Sequence, residues 1–286
     1  MTKWILGGLG LFVSVMAAAA TTGPELDVQT RFDQIERALN GEREAIEALA
    51  STDENDAFFH FVRGIALANM GQIDEASAAL QQAVRLGDDM AILALADVLY
   101  EAGRYIDAFA WAQVWLQHDY SVAEIQQGKA NSDPSMHMLR RLIDKLDETS
   151  IQQAQNHAHQ VLNEWLPQFE KQTTGCIQPA EVCPEWTAIR HRAPRFPGNM
   201  VDQRQPGWSR QALLVNEQGQ VTDLLTLHSS QISFGRSAER AVRRWRFESS
   251  SEQPTPALFQ TSVMFGFSDE WRELNPLGVR PQRLPF

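Results

Sequence analysis

The feature that most restricts this chain is a self-similarity at an offset of 32 residues. Leu67, Gly71, Ile73 and Ala76 recur as Leu99, Gly103, Tyr105 and Ala108, and Gly64 is matched by Ala96. Each copy reads as a helix, a short turn at glycine, and a second helix whose small residues permit close approach. Ala76, Ala79, Leu80 and Ala83 fall at i, i+3, i+4 and i+7, one face of that second helix. A helix pair with one apolar face cannot bury it alone, so such copies must stack on one another or pack on another element. The helical period runs from about Leu26 to Phe169, with Ser121 to Leu146 and Ser150 to Phe169 read as further hairpin helices. Pro134, after Ser132 and Asp133, stands where a helix start tolerates proline.

Charge divides the chain in two. From Pro184 onward there are 13 Arg, no Lys and 10 acidic residues, a net +3; the remainder holds 12 basic and 26 acidic residues, a net −14. With 286 residues, 43% of them hydrophobic, each part has enough apolar material for a core. The overall charge of −11 argues against a nucleic-acid binder, which needs clustered cations to displace phosphate counterions.

The N-terminus points to export. Lys3 precedes an uncharged apolar run from Trp4 to Met16, and Ala17 to Ala20 offer small-residue cleavage sites, so residues 1–20 read as a signal peptide. The alternative is an uncleaved membrane anchor, since Trp4 to Ala20 is 17 residues, the lower end of what spans a bilayer. In an oxidising compartment Cys176 and Cys183 read as a structural disulfide closing a short loop; two free thiols, a redox pair and a metal pair are the alternatives.

Gly175 to Arg195 interrupts the helical pattern with Pro179, Pro184 and Pro194 and reads as a linker. Strand signals follow. Gln211 to Val215 and Val221 to Leu227 flank a Glu217–Gln218–Gly219 turn, which predicts a hairpin. Ser237 to Trp245 returns to helical period, with Ala238, Ala241, Val242 and Trp245 on one face. Phe259, Thr261, Val263, Phe265 and Phe267 then alternate along a last strand. The expected fold class is a multidomain chain: an all-α helical-hairpin repeat, then a small α+β unit of order β-β-α-β. The expected boundaries are 21–172 for the repeat domain, 173–193 for the linker and 194–286 for the C-terminal domain.

Two resemblances are carried by these residues. Gly64, Leu67, Gly71, Ala76, Leu80 and Ala83, then Leu95, Leu99, Gly103, Tyr105 and Ala108, resemble tetratricopeptide and Sel1-like solenoid repeats, which implies a scaffold with a concave groove. Pro194 to Pro197, the hairpin V-N-E-Q-G-Q-V, Ser229–Ser230, Phe234, Ala238, Ala241, V-R-R-W-R-F at Val242 to Phe247 and S-V-M-F-G-F at the end resemble the C-terminal domain of TonB energy transducers. That resemblance implies a periplasmic protein of the Gram-negative envelope whose sheet edge grips an extended segment of an outer-membrane receptor by strand addition. It implies a docking edge in the strand holding Thr261, Val263 and Phe265, with Arg195 and Phe196 beside it. TonB transducers also carry an anchoring N-terminal helix and a long proline-rich spacer; here an acidic helical repeat stands in the spacer's place. The expectation is therefore an adaptor that binds protein, with a membrane-anchored transducer of transmembrane transport as the alternative, and membrane contact only through an uncleaved N-terminus.

Arg236, Arg240 and Arg243 share one face of the last helix, opposite its apolar stripe. They suit an acidic receptor segment, an anionic envelope component, or the chain's own acidic half. His157 and His159 sit at i, i+2, pointing apart on a helix, so no metal site is expected. Asp53, Glu54 and Asp56 read as helix-start charges. His228, Ser229 and Ser230 lack a visible acid partner or nucleophile elbow. No catalytic constellation and no cofactor motif emerges; the alternative from another class is an envelope hydrolase with an unrecognised site.

Overall fold

In a computed structural model, residues 13–17, 28–52, 56–175, 186–252 and 254–267 are described. The chain begins with strand β1 (Val13–Ala17), then helices α1 (Val28–Leu39), α2 (Arg43–Thr52), α3 (Ala57–Asn69), α4 (Ile73–Arg85), α5 (Met90–Glu101) and α6 (Tyr105–Asp119). A short α7 (Val122–Gln126), α8 (Pro134–Ile143) and the long α9 (Glu148–Gly175) complete the helical part. The sheet part comprises β2 (Trp186–Arg190), α10 (Gly198–Asp202), β3 (Gly207–Val215), β4 (Val221–Ser229), α11 (Ile232–Val242), β5 (Arg246–Ser249) and β6 (Ala257–Phe265). A helical region followed by a small sheet domain is the architecture that the sequence predicts.

The 32-residue offset becomes two successive hairpins, α3–α4 and α5–α6. Gly71 and Gly103 end the first helix of each, both at φ +76, a backbone conformation that an L side chain resists. Ala76, Ala79, Leu80 and Ala83 are all buried, as are Phe59, Phe61 and Ile65 facing them from α3. Local chemistry starts the helices: Asp56 caps α3 by accepting from Phe58 N at 2.8 Å. Ser121 and Glu124 form a reciprocal capping box on α7. Asp133 caps α8 with Pro134 in its first turn. Asp53 and Glu54 lie outside the described residues.

Asp133 is buried as well as capping. Its carboxylate accepts from Ser135 N at 2.8 Å and from Trp115 Nε1 at 3.3 Å. Burial pushes its pKa up to about 6, against the pull of those donors. Because the folded-state value lies above the ordinary 3.8, ionising this group costs the fold free energy; the cost is absent below about pH 4 and complete above about pH 6. Asp133→Asn keeps an N-cap acceptor. Its stability relative to wild type is therefore expected to rise by on the order of 2 kcal/mol between pH 4 and pH 7. Urea midpoints of both proteins across that window check this; a pH-independent difference contradicts it.

The main sheet has the order β1-β6-β3-β4, and β2 pairs with β5 in a separate two-stranded ribbon. β3 is its centre, paired antiparallel with β6 from Gly207↔Phe265 to Val215↔Ala257 and with β4 from Ser209↔Ser229 to Val215↔Val221. Every residue of β3 is buried, so both faces of the sheet are covered. Leu213 and Val215 face one apolar cluster with Val242, Trp245, Phe247 and Phe259. Trp208, Ala212 and Leu214 of β3, with Leu227 and Leu258, join the same cluster as the helices. The helical part thus seals one face of the sheet and α11 the other, and the face expected as an open groove is packed on the second domain.

Several boundaries differ from expectation. The last helix starts at Ile232 and stops at Val242; Trp245 leaves it, its N–H bonding to Val242 O at 2.9 Å in the closing turn. The expected β-β-α-β order gains β2 and β5. Trp186 to Arg190, assigned to the linker, is a strand because Trp186 and Ala188 bury against Phe247. The helix before the linker runs on to Gly175. Cys176 and Cys183 lie outside the described residues, as do most of residues 1–20.

Candidate partner-binding site

β6 has two hydrogen-bonding edges. One is used by β3 along its full length; the other carries β1, antiparallel, with register pairs from Val13↔Val263 to Ala17↔Phe259. Side chains alternate across the strand, but Leu258 and Ser262 on the other face are buried as well, and the strand ends at Phe265, short of Phe267. Thr261, Val263 and Phe265 turn toward the α11 side and are buried, whereas Leu258 turns toward the helices. These three residues consequently turn their backbone rather than their side chains to the strand edge. The Thr261 hydroxyl has no hydrogen-bond partner among the described residues, and neither does the side-chain oxygen of Gln211, its register partner on β3.

The Pro194 to Pro197 segment lies against this side of the sheet. Phe196 is half-buried, its ring 5.7 Å from Phe234, 5.8 Å from Phe265 and 4.7 Å from Phe267. Arg195 is exposed, and its carbonyl accepts from the Ser237 hydroxyl. Trp245, fully buried, donates from Nε1 to Arg192 O at 3.1 Å, and Phe247 stacks on Phe259 at 5.2 Å. These aromatic plugs fix α11 and β5 to the face behind β6. Arg236, Arg240 and Arg243 are exposed on the outer side of α11, where Arg243 pairs with Glu239 at 2.8 Å. The helical part lies beyond the opposite face of the sheet, so the chain's own acidic half is not what these arginines meet.

Sequence reasoning missed the polar seam between the two parts. Arg210 of β3 is buried and donates to both carboxylate oxygens of Asp88 at 2.8 and 2.7 Å; its guanidinium also lies 4.0 Å over the Phe61 ring and bonds Gln260. Burial pushes the Asp88 carboxyl above its ordinary value against the pull of Arg210. Trp208 Nε1 donates to Asp97 Oδ2 at 2.9 Å, and His228 Nε2 lies 3.2 Å from the same oxygen. His228 therefore has the acid partner that the sequence did not reveal. It comes from α5, 131 residues away, so no local spacing announces it. The Ser230 hydroxyl accepts from Trp208 N at 3.0 Å. Beside it opens a cleft of about 330 Å³ lined by Asp97, Tyr100, His137, Arg141, His228 and Ser229 among others. There burial, then Arg141 and Arg140, push the His137 pKa down to about 4.

His157 bonds Asp107 at 3.0 Å while His159 is exposed. Among the described residues, no group of three or more His, Cys, Asp or Glu side chains is placed to hold a metal ion, and no helix is long and apolar enough to cross a membrane.

No curated protein matches the chain. Among solved structures, the solution NMR structure of Pseudomonas aeruginosa TonB CTD is similar at 23% identity over 30% of this chain and 88% of its own, with a TM-score of 0.26. Residues 192–268 match the family model of the Gram-negative bacterial TonB protein C-terminal, and that stretch of the chain, from the Pro194–Pro197 segment through β6, is a TonB C-terminal domain.

Proposed function

We propose that this chain is an adaptor of the Gram-negative envelope that grips an extended segment of a protein partner, such as the periplasmic end of an outer-membrane receptor, on the outer edge of β6. The observation that carries this reading is the β1–β6 ladder: five consecutive residues of an extended segment seat antiparallel on that edge. A strand edge offers a row of N–H and C=O groups to any chain of suitable backbone, so an edge that takes one segment is suited to take another. The family match over residues 192–268 supports the same role. The bulk of the binding free energy then comes from main-chain hydrogen bonds, and the buried side chains of Val263 and Phe265 hold the edge rigid. The membrane-anchored transducer rests on residues 1–20, of which only Val13–Ala17 is described.

In this reading β1 occupies the docking edge until it is removed or displaced. A chain beginning at Thr21 is expected to exchange the amides of β6 faster than the full chain. A synthetic peptide of residues 11–19 is expected to restore their protection, and to add nothing to the full chain. Hydrogen exchange resolved by residue reads all three states. Equal exchange at β6 with and without residues 1–20, and no effect of the peptide, would remove strand addition at this edge.

A further inference from the structure

We propose that the outward face of α11, with the segment running from β2 to Pro194, is a peripheral docking surface for an anionic phospholipid bilayer. Arg192, Arg195, Arg236, Arg240, Arg243 and Arg244 are all exposed. They form one surface, because Trp245 Nε1 holds the Arg192 carbonyl and the Ser237 hydroxyl holds that of Arg195, laying the segment along the helix. Among the described residues, Glu239 is the carboxylate that pairs with one of them, Arg243. The guanidinium fork matches phosphate oxygens two at a time, and arginine is the only basic residue type in this part of the chain, as no Lys occurs after Pro184.

Charge alone would equally suit a soluble acidic peptide or free phosphate. The apolar residues decide between them. Among the described residues, three large hydrophobic side chains stand exposed; Ile232, at 68%, lies on this helix face, and Ile189, at 58%, lies on the strand that leads into the segment. Ile232 opens α11 at i, with Arg236, Arg240 and Arg243 at i+4, i+8 and i+11, so it shares their face. Ile189 is the unpaired residue where the β2–β5 register shifts, directly before Arg190. Isoleucines held in water among arginines gain nothing from a phosphate ion. A bilayer surface takes both, apolar tips into the acyl boundary and guanidinium groups onto the lipid phosphates. This surface is separate from the β6 edge and stands or falls independently of strand docking, and it gives the chain a membrane contact beyond the N-terminal one expected from sequence.

The test uses the full chain in vesicle co-sedimentation, with phosphatidylcholine vesicles and with vesicles containing added phosphatidylglycerol. Phosphatidylglycerol is expected to raise partitioning, and the gain to shrink as salt is increased. Replacing Arg236, Arg240 and Arg243 together by Gln is expected to cut that gain about a hundred-fold, roughly five-fold per arginine. Ile232→Ser is expected to cut partitioning onto the phosphatidylglycerol vesicles about ten-fold. Binding to phosphatidylcholine alone, which includes anything residues 1–20 contribute, stays equal in the arginine variant and falls with Ile232→Ser. An undiminished phosphatidylglycerol gain in the triple variant overturns the proposal. So does an Ile232→Ser variant that binds normally while polyglutamate or millimolar inorganic phosphate displaces the chain, which would give the surface to a soluble acidic partner or a phosphate ion.

Discussion

Replacing Arg210 by Met is expected to destabilise the folded chain by about 3–5 kcal/mol at pH 7, the range in which breaking a buried ion pair by removing one partner falls. The side chains of Arg210 and Asp88 are 3% and 5% exposed, so neither charge has water to fall back on. The methionine stem still covers Phe61, which separates lost charge from lost packing. What remains is Asp88, held also by the N–H groups of Met90 and Ala91, with its cation gone. Arg210 cannot give up its proton, but Asp88 can take one, and burial already pushes its pKa upward. The loss in Arg210→Met is therefore largest at neutral and alkaline pH and shrinks in acid, once Asp88 protonates. Asp88→Asn added to Arg210→Met keeps the backbone acceptor and removes the stranded charge, so the double variant is expected to regain most of the stability. Urea denaturation of the two single variants and the double, at pH 5 and pH 7, reads the cycle. A loss below about 1 kcal/mol at pH 7 would place this pair among surface-like ion pairs and remove it as the tie between helices and sheet.

That tie explains which parts of the molecule the sequence could announce. Ala76, Ala79, Leu80 and Ala83 face one way because a helix turns 100° per residue, so their burial is written in spacing alone. Phe259, Thr261, Val263 and Phe265 are legible for the same reason, with period 2 in place of 3.6. β3 is different. Its run G-W-S-R-Q-A-L-L-V is buried throughout, so no face is left to carry a polar alternation, and only Gln211 to Val215 reads as a strand. Trp208 and Arg210 are explained by Asp97 and Asp88, which lie 111 and 122 residues earlier. A pairing of that kind is set by tertiary packing, and the single chain of residue types contains no period that encodes it. The charge asymmetry pointed in the right direction, since an acidic and a basic part do meet, but through Arg210, Trp208 and His228 on one sheet face rather than through the exposed arginines of α11. Within the stretch that reads as linker, Trp186 to Arg190 is too short to show alternation by itself and becomes a strand only because β5 pairs with it.

Gly219→Ala is expected to cost about 2–5 kcal/mol, and it tests the other junction that spacing did not reveal. Glu217–Gln218–Gly219 is legible as a turn, and Asn216 builds it, its side-chain oxygen accepting from Gln218 N at 3.1 Å and Gln220 N at 2.9 Å. Turn chemistry alone would make Gly219→Ala a mild change, since φ +71 at an L residue costs about 1–2 kcal/mol. The turn is also pinned, however. Gly219 O accepts from Phe247 N at 2.9 Å, and Gln220 bridges to Arg246, so the hairpin tip lies on the backbone of β5. A Cβ at Gly219 would sit 1.8 Å from the Phe247 carbonyl oxygen, a clash with main chain that no rotamer relieves. Either the tip lifts from β5 or Phe247 shifts from its stack on Phe259, and overpacking of that kind adds about 1–3 kcal/mol. Thermal unfolding of Gly219→Ala, with Asn216→Ala as the turn-only comparison, separates the two contributions. The pinned contact predicts a larger loss for Gly219→Ala, together with faster amide exchange at Phe247; equal losses, with Phe247 still protected, would show that the hairpin tip is free of β5 and that only the turn conformation matters.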